Sequence, residues 1–266
     1  MKKRATISFL GLFFLVSMAV QADVYVKGNL HIGGGYRFGH NVPDTNVINE
    51  WWLDKDKVTF MSKGWRMEYL NNDWRFTLDR EKQRILVVNL SEKWFAEVLL
   101  PMNLSSYVYQ GLSEYLRAYQ IDGKIEKTGK KETINQKLCD IYKAYEWITL
   151  AGDHFYSRDR LIRATTDIPF DWQIVNELYL WIASFFNPQQ TYLSELKKLK
   201  GFVLAEDDIF YHIGIQVEFS FKVTEVCNKK PLKDIYDIPK GFQKKDRFST
   251  GDLFEMRGIV YIYPLR

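Results

Sequence analysis

From Asp23 to about Leu100 the chain is cut into short runs of alternating apolar and polar residues, separated by very brief connections. The runs are "DVYVKGNLHI", "KVTFMS", "WRMEYL", "DWRFTL", "RILVVNL" and "KWFAEVLL". Between them lie "DKDK" (54–57), "SKG" (62–64), "NND" (71–73), "DREKQ" (79–83) and "SEK" (91–93), all rich in turn formers. In the first run Val24, Val26, Leu30 and Ile32 share one face, and Tyr25, Lys27, Asn29 and His31 the other. A parallel crossover needs a dozen residues or more, so connections this short dictate antiparallel neighbours. This half is expected to be a β-meander.

Pro101 ends the pattern. "NLSSYVYQGLSEYLRAYQ" (103–120) places Leu104, Val108, Leu112, Tyr115, Leu116 and Tyr119 at helical spacing. The tract "DGKIEKTGKKETINQK" is charged and punctuated by glycine, and predicts an exposed hairpin. "LCDIYKAYEWI" (138–148) and "HFYSRDRLIRAT" (154–165) return to strand character. "DWQIVNELYLWIASFF" predicts a helix over 172–186 with Asp171 as its N-cap, and Glu177 is its only charge after that cap. At about 15 residues it is too short to cross a bilayer. "QTYLSELKKLK" (190–200) predicts a shorter amphipathic helix stopped by Gly201. "IGIQVEFSFKVTEV" (213–226) is the most regular strand, with Ile213, Ile215, Val217, Phe219, Phe221 and Val223 on one side. The last residues, 249–266, predict an added strand or a docking tail. The fold class expected is α+β, a single domain over 23–248.

The first 22 residues are expected to be a cleavable export leader. Lys2, Lys3 and Arg4 precede the apolar core "ISFLGLFFLVSMAV", and Val20-Gln21-Ala22 offers small residues before Asp23. Removing the leader's three cations from the net charge of +4 leaves +1, which gives no basis for nucleic-acid binding. The address implied is periplasmic or secreted. There the two cysteines, Cys139 and Cys227, can pair, and closing that loop stabilises by about 4 kcal/mol in the chain-entropy picture. Two buried thiols are the other outcome.

Motifs of chemistry are missing. The four histidines, His31, His40, His154 and His212, have no ligand-like spacing, and HExxH, CxxC and GxSxG are absent. Asp54 and Asp56 in "DKDK" lack the further ligands of a calcium loop, and "AEDD" (205–208) reads as a second solvated acidic cluster. Nothing calls for a cofactor or metal. An enzyme on this chain requires polar groups to converge in the fold.

Aromatic residues are abundant, with 18 Phe, 16 Tyr and 8 Trp. A sheet with one apolar face needs a partner surface, and only two or three helices are on offer. A curved, open half-barrel with helices over its mouth satisfies both, and leaves a pocket lined by aromatic side chains. The lining expected is Trp74, Phe76, Trp94, Leu112, Tyr115, Trp172, Leu178, Trp181 and Phe185.

The order of "EWWLDKDKVTF", "TLDREKQRILVVNLSEKWFAEVLLP", "RATTDIPFDW", "LKKLKGFVLAEDD" and "VTEV … IYDIPKGFQKK" resembles a family of exported bacterial proteins of unknown function. That family is similar to the periplasmic lipoprotein carriers and receptors of the LolA and LolB type. The likeness runs from Asp23 to Lys245, and departs at Val203, where the family has proline, and in the tail. It implies an incomplete antiparallel barrel capped by helices around a lipid-accommodating cavity. The function expected is a periplasmic carrier of an apolar ligand, either a lipid or the acyl chain of a lipoprotein. The alternative is an envelope module with a packed interior that docks a partner protein.

Overall fold

The computed structural model describes residues 23–37, 40–64, 72–101, 119–150, 153–186, 190–212 and 215–246, together with 248 and 252. The meander is present as β1 (Val24–Ile32), β4 (Thr45–Leu53), β5 (Lys57–Lys63), β6 (Trp74–Asp79), β7 (Arg84–Asn89) and β8 (Trp94–Leu99). A small separate hairpin, β2 (Gly35–Arg37) and β3 (His40–Val42), interrupts it. Long strands follow: β9 (Tyr119–Ile134), β10 (Lys137–Leu150) and β11 (Asp153–Thr165). Two helices, α1 (Trp172–Phe186) and α2 (Gln190–Leu196), precede β12 (Phe202–His212), β13 (Ile215–Asn228) and β14 (Gln243–Lys244).

Twelve of these strands form one sheet in the order β14-β8-β7-β6-β5-β4-β1-β13-β12-β11-β10-β9. β1 joins the two halves, pairing with β4 on one side and β13 on the other. Every pairing is antiparallel except that of β14 with β8. The sheet is curved and does not close, because β14 and β9 end it without pairing to each other. Among the described residues no helix is long and apolar enough to cross a membrane.

Local chemistry explains the elements. The β9–β10 hairpin turns at Asn135 and Gln136, both with positive φ (49° and 63°), which matches the twist of the flanking strands. The tract expected to be an exposed hairpin is thus mostly strand. The predicted helix over 103–120 meets β9 at Tyr119, where the backbone is already extended; its earlier part, with Leu112 and Tyr115, lies outside the described residues. The strand expected at 65–70 lies outside them as well, as does nearly all of the tail.

The face that carries both helices is the inner one. Its core gathers Val26, Trp51, Leu78, Val87, Phe202 and their neighbours with Ile174, Val175 and Leu178 of α1. The outer face is not simply wet. Ile235 packs on Tyr25, Trp52 and Met61, and Phe242 on Leu86, Val88 and Phe95, so the segment after β13 covers the meander from behind. Some of the buried polar groups there are satisfied through that segment. Thr59 and Thr77 hydroxyls lie 2.8 Å apart, Thr59 donates to the Ile235 carbonyl, and Arg75 donates to the carbonyls of Asp234 and Asp237. With Trp74, Phe76 and Leu78 packed on the inner face, all six residues of β6 are buried.

Alternation along β13 breaks once. Lys27 faces Glu225, but the next residue, Gly28, faces Val223, so Thr224 bulges and the faces reset. The Phe221 ring lies across Gly28, where a Cβ would come within 2.4 Å of it. After the bulge, Cys227 belongs with the outer cluster, whereas Cys139 is buried in the inner core. Of the two outcomes open to this pair, a bridge or two thiols, the structure has the second: they occupy opposite faces and both are free thiols.

Candidate functional site

The inner face divides into an apolar half under α1 and a charged half beside α2. On the apolar half the strand alternation lines up a row of rings. Trp51 and Phe60 are 5.2 Å apart, Phe60 and Phe76 6.4 Å, Phe76 and Trp74 6.1 Å, and Trp74 meets Trp94 edge-on at 5.5 Å. α1 lies on this row. Its start is fixed as predicted, with the Gln173 N–H donating to Asp171 Oδ1 at 2.9 Å. Arg80, from the β6–β7 turn, holds the same end through Asp171 and Glu177.

Ile174, Val175 and Leu178 of α1 are buried, and Trp172, Trp181 and Ile182 pack half-buried against the same core. An apolar circumference therefore suits this helix, since only Gln173 and Tyr179 are exposed between Trp172 and Ser184. Of the expected lining, Trp74, Phe76, Trp94, Trp172, Leu178 and Trp181 come together in this one cluster. Trp74, Phe76 and Leu178 are 7, 6 and 1% exposed, so they are packed rather than open. Leu112, Tyr115 and the Phe185 side chain lie outside the described residues.

A cavity of about 300 Å³ opens at the N-terminal end of α1. Val24, Leu53, Phe170 and Ile174 make its apolar side, and Asp54, Lys55, Asp56, Arg80 and Asp171 its charged rim. The "DKDK" turn thus lies at the mouth of a cavity.

The charged half comes from "RDRLIR" on β11 facing "AEDD" on β12. Each arginine reaches diagonally across the ladder: Arg158 Nε donates to Asp208 Oδ2 and Arg160 Nε to Glu206 Oε1, both at 2.6 Å. Arg160 also donates to the Tyr192 hydroxyl of α2 at 3.2 Å. On the opposite side of the strand, Arg163 bonds Asp207 and Glu132. The expectation that "AEDD" is a solvated cluster is therefore corrected. Glu206 and Asp208 point inward, and Asp208 is buried.

Burial pushes the Glu206 carboxyl up, but Arg160 and Arg158 outweigh it and hold the group below the usual range. For Asp208 burial wins over its bonds to Arg158, and the carboxyl sits above the usual range. Asp208 Oδ1 has no hydrogen-bond partner. The Tyr192 phenol is raised chiefly by burial, and its ring lies across Gly123 of β9. Tyr179 of α1 keeps 39% of its surface open, yet burial, followed by the charge of Glu206, raises its phenol too. Its ring lies 5.9 Å from that of Phe60.

Polar groups do converge, but the cluster consists of guanidiniums, carboxylates and phenols that pair with one another. It can orient a polar group by hydrogen bonds and charge; among the described residues it holds no activated thiol or hydroxyl–imidazole pair. Among the described residues no group of His, Cys, Asp and Glu is placed to hold a metal. Sequence reasoning missed this half of the face, although the complementary alternation of "RDRLIR" and "AEDD" was the available signal. No family model and no curated protein matches the chain.

Proposed function

We propose that the chain is an exported carrier that holds an apolar ligand, a lipid or an acyl chain, on the concave face of an open half-barrel of the LolA type, with α1 as its cap. The observation that carries this reading is the row of rings from Trp51 to Trp94 on an unclosed sheet, lying beneath a helix that is apolar on nearly every side. Half-buried Phe60, Trp94, Trp172 and Trp181 are the groups a chain would displace or extend. Each methylene taken from water contributes about 0.8 kcal/mol, so affinity rises with chain length.

Mild extraction followed by native mass spectrometry tests this, together with competition for a fluorescent acyl probe by a ladder of chain lengths. Co-purifying lipid and affinity that climbs with length are expected. Protein that is free of lipid and indifferent to every acyl probe refutes the carrier. One observation favours the second reading, an envelope interaction module: Trp74, Phe76 and Leu178 are already packed. Trp181→Asp separates the two, since a carrier loses ligand and keeps its partners, and a module loses the partners.

A further inference from the structure

We propose that the outer face of the meander, with the segment 229–245 that covers it, is a docking surface for an anionic lipid bilayer. Six lysines lie in that segment, Lys229, Lys230, Lys233, Lys240, Lys244 and Lys245, against Asp234 and Asp237. This surplus of four cations exceeds the net +1 carried from Asp23 onward, so the remainder of those residues sums to −3. A modest overall charge conceals one basic surface. Lys229 lies over the Tyr25 ring, Lys244 meets Glu97, and Lys245 meets Asp252. Among the described residues Lys230, Lys233 and Lys240 are exposed and form no ion pair.

Apolar side chains stand out among these charges. The segment is pinned to the sheet by Ile235 and Phe242, and the turns around the first pin are closed by hydrogen bonds. The Ile235 N–H donates to the Leu232 carbonyl and the Asp237 N–H to the Asp234 carbonyl, both at 3.1 Å. Leu232 and Ile238, three residues to either side of the buried Ile235, are left 55 and 37% exposed. Leu99 of β8, 68% exposed, joins them: it pairs with Arg84 in the ladder, on the face where Phe95 packs on Phe242. The β6–β7 turn ties the two places together. The Lys82 ammonium lies 3.8 Å from Asp237, and the next residue, Gln83, accepts the Leu100 N–H at 2.8 Å.

This chemistry selects a bilayer over other anionic partners. Nucleic acid is gripped by arginine forks and by rings on which bases stack, whereas the unpaired cations here are lysines beside aliphatic tips. An ammonium on a long stem stays in water above a diffuse negative surface while Leu and Ile enter the interface. Both helices lie on the opposite face, so docking leaves α1 and the concave side uncovered.

Protein purified from a host expressing the full chain is to be sedimented with vesicles of phosphatidylcholine and phosphatidylglycerol in equal parts, and with phosphatidylcholine alone. Binding is expected to the mixed vesicles only, and to fade as salt shortens the screening length. Each lysine replaced should weaken it about fivefold, so Lys230→Gln with Lys233→Gln and Lys240→Gln costs roughly a hundredfold. Leu232→Ser with Ile238→Ser should weaken it about tenfold at unchanged salt dependence. Lys124→Gln with Lys130→Gln and Lys131→Gln, an equal loss of charge on β9, should leave it intact. Equal binding to both vesicles, or equal loss from the β9 set, overturns the surface. Indifference to the Leu232 and Ile238 changes, or tighter binding to polyglutamate or DNA, overturns the bilayer as its partner. The surface does not rest on the carrier reading: Trp181→Asp should leave docking unchanged, so the two proposals fail separately.

Discussion

The Arg160–Glu206 pair allows a quantitative test of how the charged half of the inner face is held. The two side chains are only 16 and 15% exposed, their bond is 2.6 Å, and Arg160 also supports Tyr192. Removing one member of a buried pair typically costs about 3–5 kcal/mol, because the other charge is left uncompensated. Residual water access and the neighbouring Arg158, 3.9 Å from Glu206, place each single change near the lower end, about 3 kcal/mol. Replacing both with apolar residues of similar volume removes the stranded charge, so Arg160→Met with Glu206→Leu should cost only about 1–2 kcal/mol. The coupling between the sites is then about 4 kcal/mol. Urea unfolding measures it. With a slope near 3 kcal/mol/M for a chain of this size, each single variant shifts the midpoint by about 1 M, and the double by about half of that. Single effects that simply add in the double variant would show that the two groups do not depend on each other.

Three further outcomes are expected. Gly123→Ala puts a Cβ 2.5 Å from the Tyr192 ring and 2.9 Å from the Tyr145 carbonyl, and should cost about 1–3 kcal/mol with a visible change in tyrosine fluorescence. Because the folded Glu206 carboxyl titrates below its unfolded value, its contribution is complete above the ordinary carboxylate pKa and is lost as pH falls through the folded value. The stability gap between wild type and Glu206→Gln should therefore be flat near neutrality and narrow in acid; a gap that widens there contradicts the assignment. Denatured, unreduced protein should titrate two thiols, with the buried Cys139 unreactive before unfolding.

What could be read from the chain alone depended on whether the signal was local. Alternation and short turns located the meander, and an apolar run behind Asp171 located α1 to the residue, because both reflect neighbours within one element. Pairings between distant segments were harder. "AEDD" (205–208) reads as a solvated acidic cluster because the strand it pairs with, β11, lies more than forty residues away, and only their charges together explain the buried Asp208. The bulge at Thr224 reverses which residues face inward, so the faces of Cys227 and Cys139 could not be compared by counting. Nor did periodicity hint that 232–242 covers the back of the meander, since a covering segment without regular structure leaves no period. In the site, the apolar cluster was legible as a surplus of rings, whereas its degree of packing follows from three-dimensional fit.

The two ends of the long sheet are treated differently, and the contrast bears on what else could pair with it. At one end the short β14 lies along the start of β8, where the Gln243 and Lys245 N–H groups donate to the Lys93 and Phe95 carbonyls. At the other, β9 runs sixteen residues with no further strand beside it among the described residues; there Lys124, Lys127, Lys130 and Lys131 are exposed and the Ile125 N–H is held by Glu195 of α2 at 3.0 Å. An open strand of that length is a template on which another copy could add. The Glu195 carboxylate, taking up one N–H of that edge, and the paired charges along it, Lys124 with Glu126 and Lys127 with Asp140, are features that disfavour such growth.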